Sequence, residues 1–123
     1  MGLDMYARTL RNRPNQVVDF HEPGEGVEEI FYWRKHPDLH GWMERLYREK
    51  GGEAEDFNLA TVILDLEDLE RLEAVVRCEQ LPHTEGFFFG HSEPGDAESD
   101  LNFIAAARKA IAEGLTVYYK AWW

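Results

Sequence analysis

The 123-residue sequence contains a single cysteine, Cys78, and no long apolar run. One cysteine excludes an internal disulfide and a thiolate metal cluster, which agrees with a reducing compartment. Cys78 lies in a helical pattern, where we expect a buried, inert thiol. No apolar run reaches membrane-spanning length, and the first ten residues lack the apolar core of a signal peptide. We therefore expect a cytoplasmic protein that does not bind membranes.

Basic side chains are also scarce, because 13 Lys and Arg stand against 24 Asp and Glu, a net charge of −11. Residues 1–50 carry 8 basic and 9 acidic groups, whereas residues 51–123 carry 5 and 15. A surface of this sign repels the phosphates of nucleic acids. We expect no direct nucleic-acid binding. The acidic second half is either a solvated face or a surface that attracts a basic partner.

Apolar residues make up 44% of the chain and include 4 Trp, 5 Tyr and 7 Phe, which argues against disorder. A chain of this length is able to bury a core of its own. With no linker or repeat in the sequence, we predict a single domain over residues 1–123.

Hydrophobic periodicity predicts three helices. A stripe after Pro37 predicts a helix over 38–50, Asp65 and Asp68 approximate a capping box at the start of a second helix, and residues 101–111 carry a third stripe. Strands are predicted at 1–10, 30–33, 61–64 and 115–123, with a further short strand at 86–90. The predicted fold class is α+β, a mostly antiparallel sheet with about three helices packed on one face.

The densest group of functional side chains is the segment 32–42, YWRKHPDLHGW. Arg34 and Lys35 precede a predicted helix start, where an anion would meet two cations together with free helix amides. The alternative is structural, with Arg34 pairing with a carboxylate such as Glu29 or Asp38.

Two histidines in this segment, His36 and His40, have the four-residue spacing of zinc ligands on a helix. Pro37 places His36 before the regular helix, and the Glu of the HExxH pattern is missing, so we predict no metal and no cofactor. His40 is expected either as a hydrogen-bonded histidine beneath the junction or as a general acid or base. Leu39 and Trp42 lie on the apolar stripe and should be buried.

Three motifs together point to a family. The chain opens with MGLDMY, carries YWRK followed by His-x-Trp at 32–42, and contains GFFFG at 86–90. In these it resembles a family of small phage and prophage proteins of unknown function, although the family has a small residue and Asn in place of His36 and Pro37. The resemblance implies a phage origin and a family-like constellation with no catalytic role assigned to it. This constellation consists of Glu29, Tyr32, Trp33, Arg34, Lys35, His40 and Trp42.

Two functions fit these features. The first is a small acidic phage or prophage accessory protein, a monomer or small homo-oligomer in the host cytoplasm. It would bind a host or defence protein with a basic surface, its acidic half mimicking nucleic acid. The second is a small enzyme or an anion- or nucleotide-binding domain, in which Arg34 and Lys35 hold an anion while His40 and Glu29 act as acid and base. We favour binding over catalysis because no complete catalytic set is visible in the sequence.

Overall fold

A computed structural model describes residues 2–86 and 89–123 of the chain. The elements along the chain are β1 (Asp4–Leu10), β2 (Glu28–Arg34), α1 (Pro37–Glu49), β3 (Thr61–Leu64), α2 (Leu66–Arg77), α3 (Asp96–Ala112) and β4 (Thr116–Trp122). The four strands form one antiparallel sheet in the order β2-β1-β4-β3. The predicted α+β class, with three helices and an antiparallel sheet, is confirmed.

The two faces of the sheet are covered differently. Side chains such as Met5, Trp33 and Tyr119 join the main core with the buried faces of the helices. On the opposite face, Ile63 and Tyr118 belong to a smaller cluster that includes Leu10 and Phe20, the latter from the segment between β1 and β2. That segment also bonds to the outer edge of β3 through backbone hydrogen bonds, so it protects an edge strand from further pairing.

Helix α1 begins as its sequence predicts. Pro37 occupies the start, where its missing amide hydrogen costs nothing and its fixed φ suits the helix. Leu39 is fully buried and Trp42 is 8% exposed, which confirms that both pack in the core. At the start of α2, the capping box between Asp65 and Asp68 is present, so the amides of its first turn are satisfied.

Two predictions for the second half of the chain differ from the structure. Cys78 is exposed rather than buried. It is the C-terminal cap of α2, one position beyond Arg77, the last residue of the helix. The predicted short strand at 86–90 is absent at Gly86, Phe89 and Gly90, while Phe87 and Phe88 lie outside the described residues. Phe89 is buried. Within the described part of the chain, no helix is long and apolar enough to cross a membrane.

Candidate functional site

The predicted constellation begins on β2, a strand at one edge of the sheet. Arg34 forms an ion pair with Asp4 at 3.0 Å, and the Tyr32 hydroxyl donates to the same carboxylate oxygen. Asp4 is available because β1 runs antiparallel to β2 and places Asp4 directly opposite Arg34. The carboxylate partner of Arg34 is therefore supplied by β1. Glu29 instead lies opposite Arg8 in the strand register.

Lys35 occupies the turn between β2 and α1 in a left-handed conformation, with φ of 56°. Its amide donates to the carbonyl oxygen of Leu3. The stem of its side chain lies beside Gly2 and Gly90, and a Cβ at Gly90 would come within 3.0 Å of the Lys35 Cδ. A left-handed non-glycine residue costs roughly 1–2 kcal/mol. The chain thus holds Lys35 in one strained position, with two glycines making room for it.

His40 lies in the core rather than at the surface beside Arg34. Its Nδ1 is 2.7 Å from the Tyr119 hydroxyl, and its ring stacks on Phe57 at a centroid distance of 4.9 Å. Burial lowers the pKa of His40 from 6.5 to about 4. The ring is therefore neutral at pH 7, and its Nδ1 accepts a hydrogen bond from the Tyr119 hydroxyl. Burial separates the predicted set, because Glu29 and Arg34 are exposed and His40 is not.

A hydrogen-bonded chain of side chains links β2, the start of α1, the loop before α3, and α3 itself. Trp33 Nε1 donates to Asp100 Oδ1 at 3.1 Å, and the other Asp100 oxygen is 2.8 Å from His36 Nε2. His36 Nδ1 is 2.7 Å from Ser92 Oγ, which also accepts the Asp38 amide at 3.1 Å. We name Ser92, His36 and Asp100 the Ser–His–Asp cluster.

The protons of this cluster follow from its partners. Asp100 Oδ1 accepts from Trp33 Nε1, and an ionised carboxylate offers its second oxygen as an acceptor for a proton on His36 Nε2. In that tautomer of the neutral ring, Nδ1 accepts from the Ser92 hydroxyl. A further carboxylate oxygen, from Asp96, lies 3.5 Å from Nδ1. The side chains of His36 and Asp100 are 3% and 0% exposed, whereas Ser92 and Asp96 are partly exposed.

The cluster lines a cavity of about 310 Å³ between the start of α1, the end of α2 and the start of α3. Its apolar lining comes from Val76, Leu81, Pro94 and Ala97, and its acidic lining from Asp38, Glu79, Glu93, Asp96 and Asp100. No Lys or Arg is among the described lining residues. The acidic lining repels anions, and the amide that an anion would use at the start of α1 is already bonded to Ser92.

Sequence reasoning considered His36 only as a zinc ligand and left it out of the predicted constellation, and it missed the two partners of His36. Ser92 and Asp100 lie 56 and 64 residues further along the chain. Neither carries a motif around it, so only the packing of α3 against β2 and α2 brings them to His36. Among residues 2–86 and 89–123, no three His, Cys, Asp or Glu side chains are grouped so as to hold a metal ion.

The chain was compared with protein-family models, with curated proteins and with solved structures. None of the three comparisons gives a match.

Proposed function

We propose that the protein acts by binding another protein through an acidic surface formed by its second half. One observation carries the proposal: most of the Lys and Arg side chains of residues 51–123 form ion pairs with carboxylates of the same molecule. Four of the five form ion pairs, namely Arg71, Arg77, Arg108 and Lys120. The exposed carboxylates are left in excess.

We call these carboxylates, which share exposure and, in the described part of the chain, a lack of ion pairs, the acidic surface. Within the described ranges, none of its members takes part in an ion pair. The acidic surface consists of Glu53, Glu55, Asp56, Glu67, Glu70, Glu79, Glu93, Glu98 and Glu113, all of them exposed. Uncompensated charge of one sign favours association with a surface of the opposite sign, chiefly by accelerating the encounter.

The partner that fits this charge is a protein with a basic surface, such as one that binds nucleic acid. Together with the resemblance to phage and prophage proteins, this leads us to propose an accessory protein that occupies the nucleic-acid surface of a host or defence protein. It would act in the host cytoplasm, as a monomer or small homo-oligomer.

The test compares two double variants of equal charge change. E67Q/E70Q neutralises part of the acidic surface on α2, and the control E25Q/E28Q neutralises two exposed carboxylates before and at the start of β2. Immobilised wild-type protein captures partners from a bacterial lysate, and titration calorimetry then measures each purified partner against all three proteins.

We expect E67Q/E70Q to bind about fivefold more weakly, which corresponds to about 0.5 kcal/mol for each removed charge. The difference should shrink when salt is raised, because salt screens exposed charges. The control should bind as the wild type does. Equal losses in both variants, or binding that is indifferent to salt, would contradict the proposal, as would failure to capture any protein.

A second candidate function, anion binding at Arg34 and Lys35, is favoured by the strained backbone of Lys35, since strain of this kind gathers at functional positions. Titration with inorganic phosphate and with a nucleoside triphosphate, followed by NMR, tests it. Amide shifts around Lys35 that disappear in Lys35→Ala would support this candidate, and their absence in the wild type would reject it.

A further inference from the structure

The structure assigns a second activity to this chain: we propose that the Ser–His–Asp cluster hydrolyses a small carboxylic ester, with Ser92 as nucleophile, His36 as general base and Asp100 as the group that orients the ring. This inference does not depend on the protein-binding function proposed above. It rests on the order of the three side chains, on their proton arrangement and on the cavity that they line.

The spacing of the cluster is that of an activated nucleophile. Ser92 Oγ lies 2.7 Å from His36 Nδ1, and the far nitrogen of the same ring lies 2.8 Å from Asp100. A nucleophile within hydrogen-bond reach of a base, which is itself oriented by a third group, is the geometric signature of nucleophilic catalysis. Such arrays are recognised by geometry and roles, not by order along the chain. In this cluster Nδ1 faces the serine and Nε2 faces the aspartate.

The surroundings support the same assignment. Asp100 is held by Trp33, so its carboxylate cannot rotate away from His36. When His36 takes up the serine proton, the resulting imidazolium lies between two carboxylates, Asp100 at 2.8 Å and Asp96 at 3.5 Å. Both stabilise the positive charge, and burial strengthens that effect because little water screens it.

The reaction balances without any further reactant except water. Ser92 Oγ attacks the ester carbonyl carbon, and its proton passes to His36 Nδ1. The ester C–O bond then breaks, and His36 returns the proton to the leaving alkoxide, which departs as an alcohol. Water attacks the acylated Ser92 while giving a proton to His36, and that proton returns to Ser92 as the acyl–oxygen bond breaks. The products are an alcohol and a carboxylic acid.

The same cavity indicates the class of substrate. The Asp38 amide donates to Ser92 Oγ at 3.1 Å, so it fixes the position of the nucleophile beside the cavity. The apolar lining accepts a short acyl chain, and the volume of about 310 Å³ limits its length. The acidic lining disfavours substrates with negative charge. We therefore assign the site to short-chain esters that are neutral or positively charged.

Ser92 also has a structural use, because it accepts the Asp38 amide at the start of α1, where His36 offers no side-chain cap. A capping role and a nucleophilic role make different predictions. A cap affects only the stability of the fold, whereas a nucleophile reacts covalently with an electrophile in the wild-type protein.

The experiment measures hydrolysis of p-nitrophenyl acetate and p-nitrophenyl butyrate, together with labelling by a fluorophosphonate. Ser99 is the only other serine in the chain, so S99A is the matched control for S92A. We expect the wild type and S99A to hydrolyse both esters, and S92A to lose kcat/KM by about a hundredfold, the smaller end of the range for a lost acid–base partnership. Thermal melting of each variant accompanies the assay.

Labelling keeps the test decisive if S92A is poorly folded. The wild-type peptide that contains Ser92 should gain the mass of the phosphonyl group, and pretreatment with the label should abolish hydrolysis. If the wild type neither hydrolyses the esters faster than S92A nor takes up the label on Ser92, the site is a helix cap and the proposal is wrong. Labelling at Ser99 or at another residue would overturn it equally.

Discussion

The burial of His40 makes the stability of this protein depend on pH in a defined window. In the unfolded chain the ring has its ordinary pKa of 6.5, whereas desolvation in the core lowers the folded value to about 4. Above pH 6.5 both states are neutral. As pH falls below 6.5 the unfolded state binds a proton that the folded state refuses, so stability decreases until the folded ring is protonated near pH 4.

The size of this loss follows from the same two pKa values. Each pH unit in the window costs about 1.4 kcal/mol, or about 3 kcal/mol in total between pH 6.5 and 4. Against a free energy of unfolding of about 5–15 kcal/mol, such a loss is large enough to measure.

Urea unfolding at pH 7.0, 5.5 and 4.5 provides the assay, with His40→Asn as the variant that cannot titrate. The variant is less stable at pH 7, because it leaves the Tyr119 hydroxyl and the Phe57 ring poorly packed. Its stability should nevertheless fall less steeply on acidification than that of the wild type. Carboxylates titrate in both proteins, so their contribution cancels in the difference.

His21, which is exposed, supplies the control: His21→Asn should keep the steep wild-type dependence. NMR titration of the His40 ring gives a direct check of its pKa. Identical pH dependence in the wild type and His40→Asn would refute the reasoning, and so would a His40 ring that is protonated near pH 6.5 in the folded protein.

Three further substitutions test the packing and the junction. Trp42→Ala should lower the free energy of unfolding by roughly 3–5 kcal/mol in urea, because it leaves a cavity beneath α1. Arg34→Ala removes an exposed ion pair with Asp4, so its melting temperature should stay near that of the wild type while calorimetry shows loss of anion binding. Unfolding without any effect on anion binding would make the constellation structural. Gly41→Ala should cost about 1–3 kcal/mol, since its Cβ would lie 1.9 Å from Thr84 Oγ1, and Thr84→Gly in the same chain should recover part of that loss. Wild-type stability in Gly41→Ala alone would contradict this close approach.

Local patterns in the sequence were enough to predict the three helices, the four strands of the sheet and the fold class, although they also predicted a strand at 86–90 that Gly86, Phe89 and Gly90 do not form. The start of α1 at Pro37, its buried Trp42 and the capping box at Asp65 all depend on residues within a few positions of one another. Such features follow from backbone sterics and from the 3.6-residue period, which act along the chain. Cys78 shows the limit of periodicity, because it was expected to be buried in a helical pattern, whereas it lies just beyond the end of α2 and is exposed.

Partnerships between distant residues were decided only by the tertiary structure. The sequence predicted that Arg34 meets either an anion or a carboxylate. The pairing of β1 with β2 places Asp4, 30 residues away, as its carboxylate partner. In the same way, the packing of α3 against β2 and α2 brought Ser92 and Asp100 to His36, although neither stands in a motif. Their four-residue spacing suggested that His36 and His40 act as a pair. In the structure His36 contacts Ser92 and Asp100, whereas His40 contacts Tyr119. The neutral state of His40 also belongs to the folded molecule, because a pKa follows from burial and neighbours, and both exist only once the sheet and helices have closed around the ring.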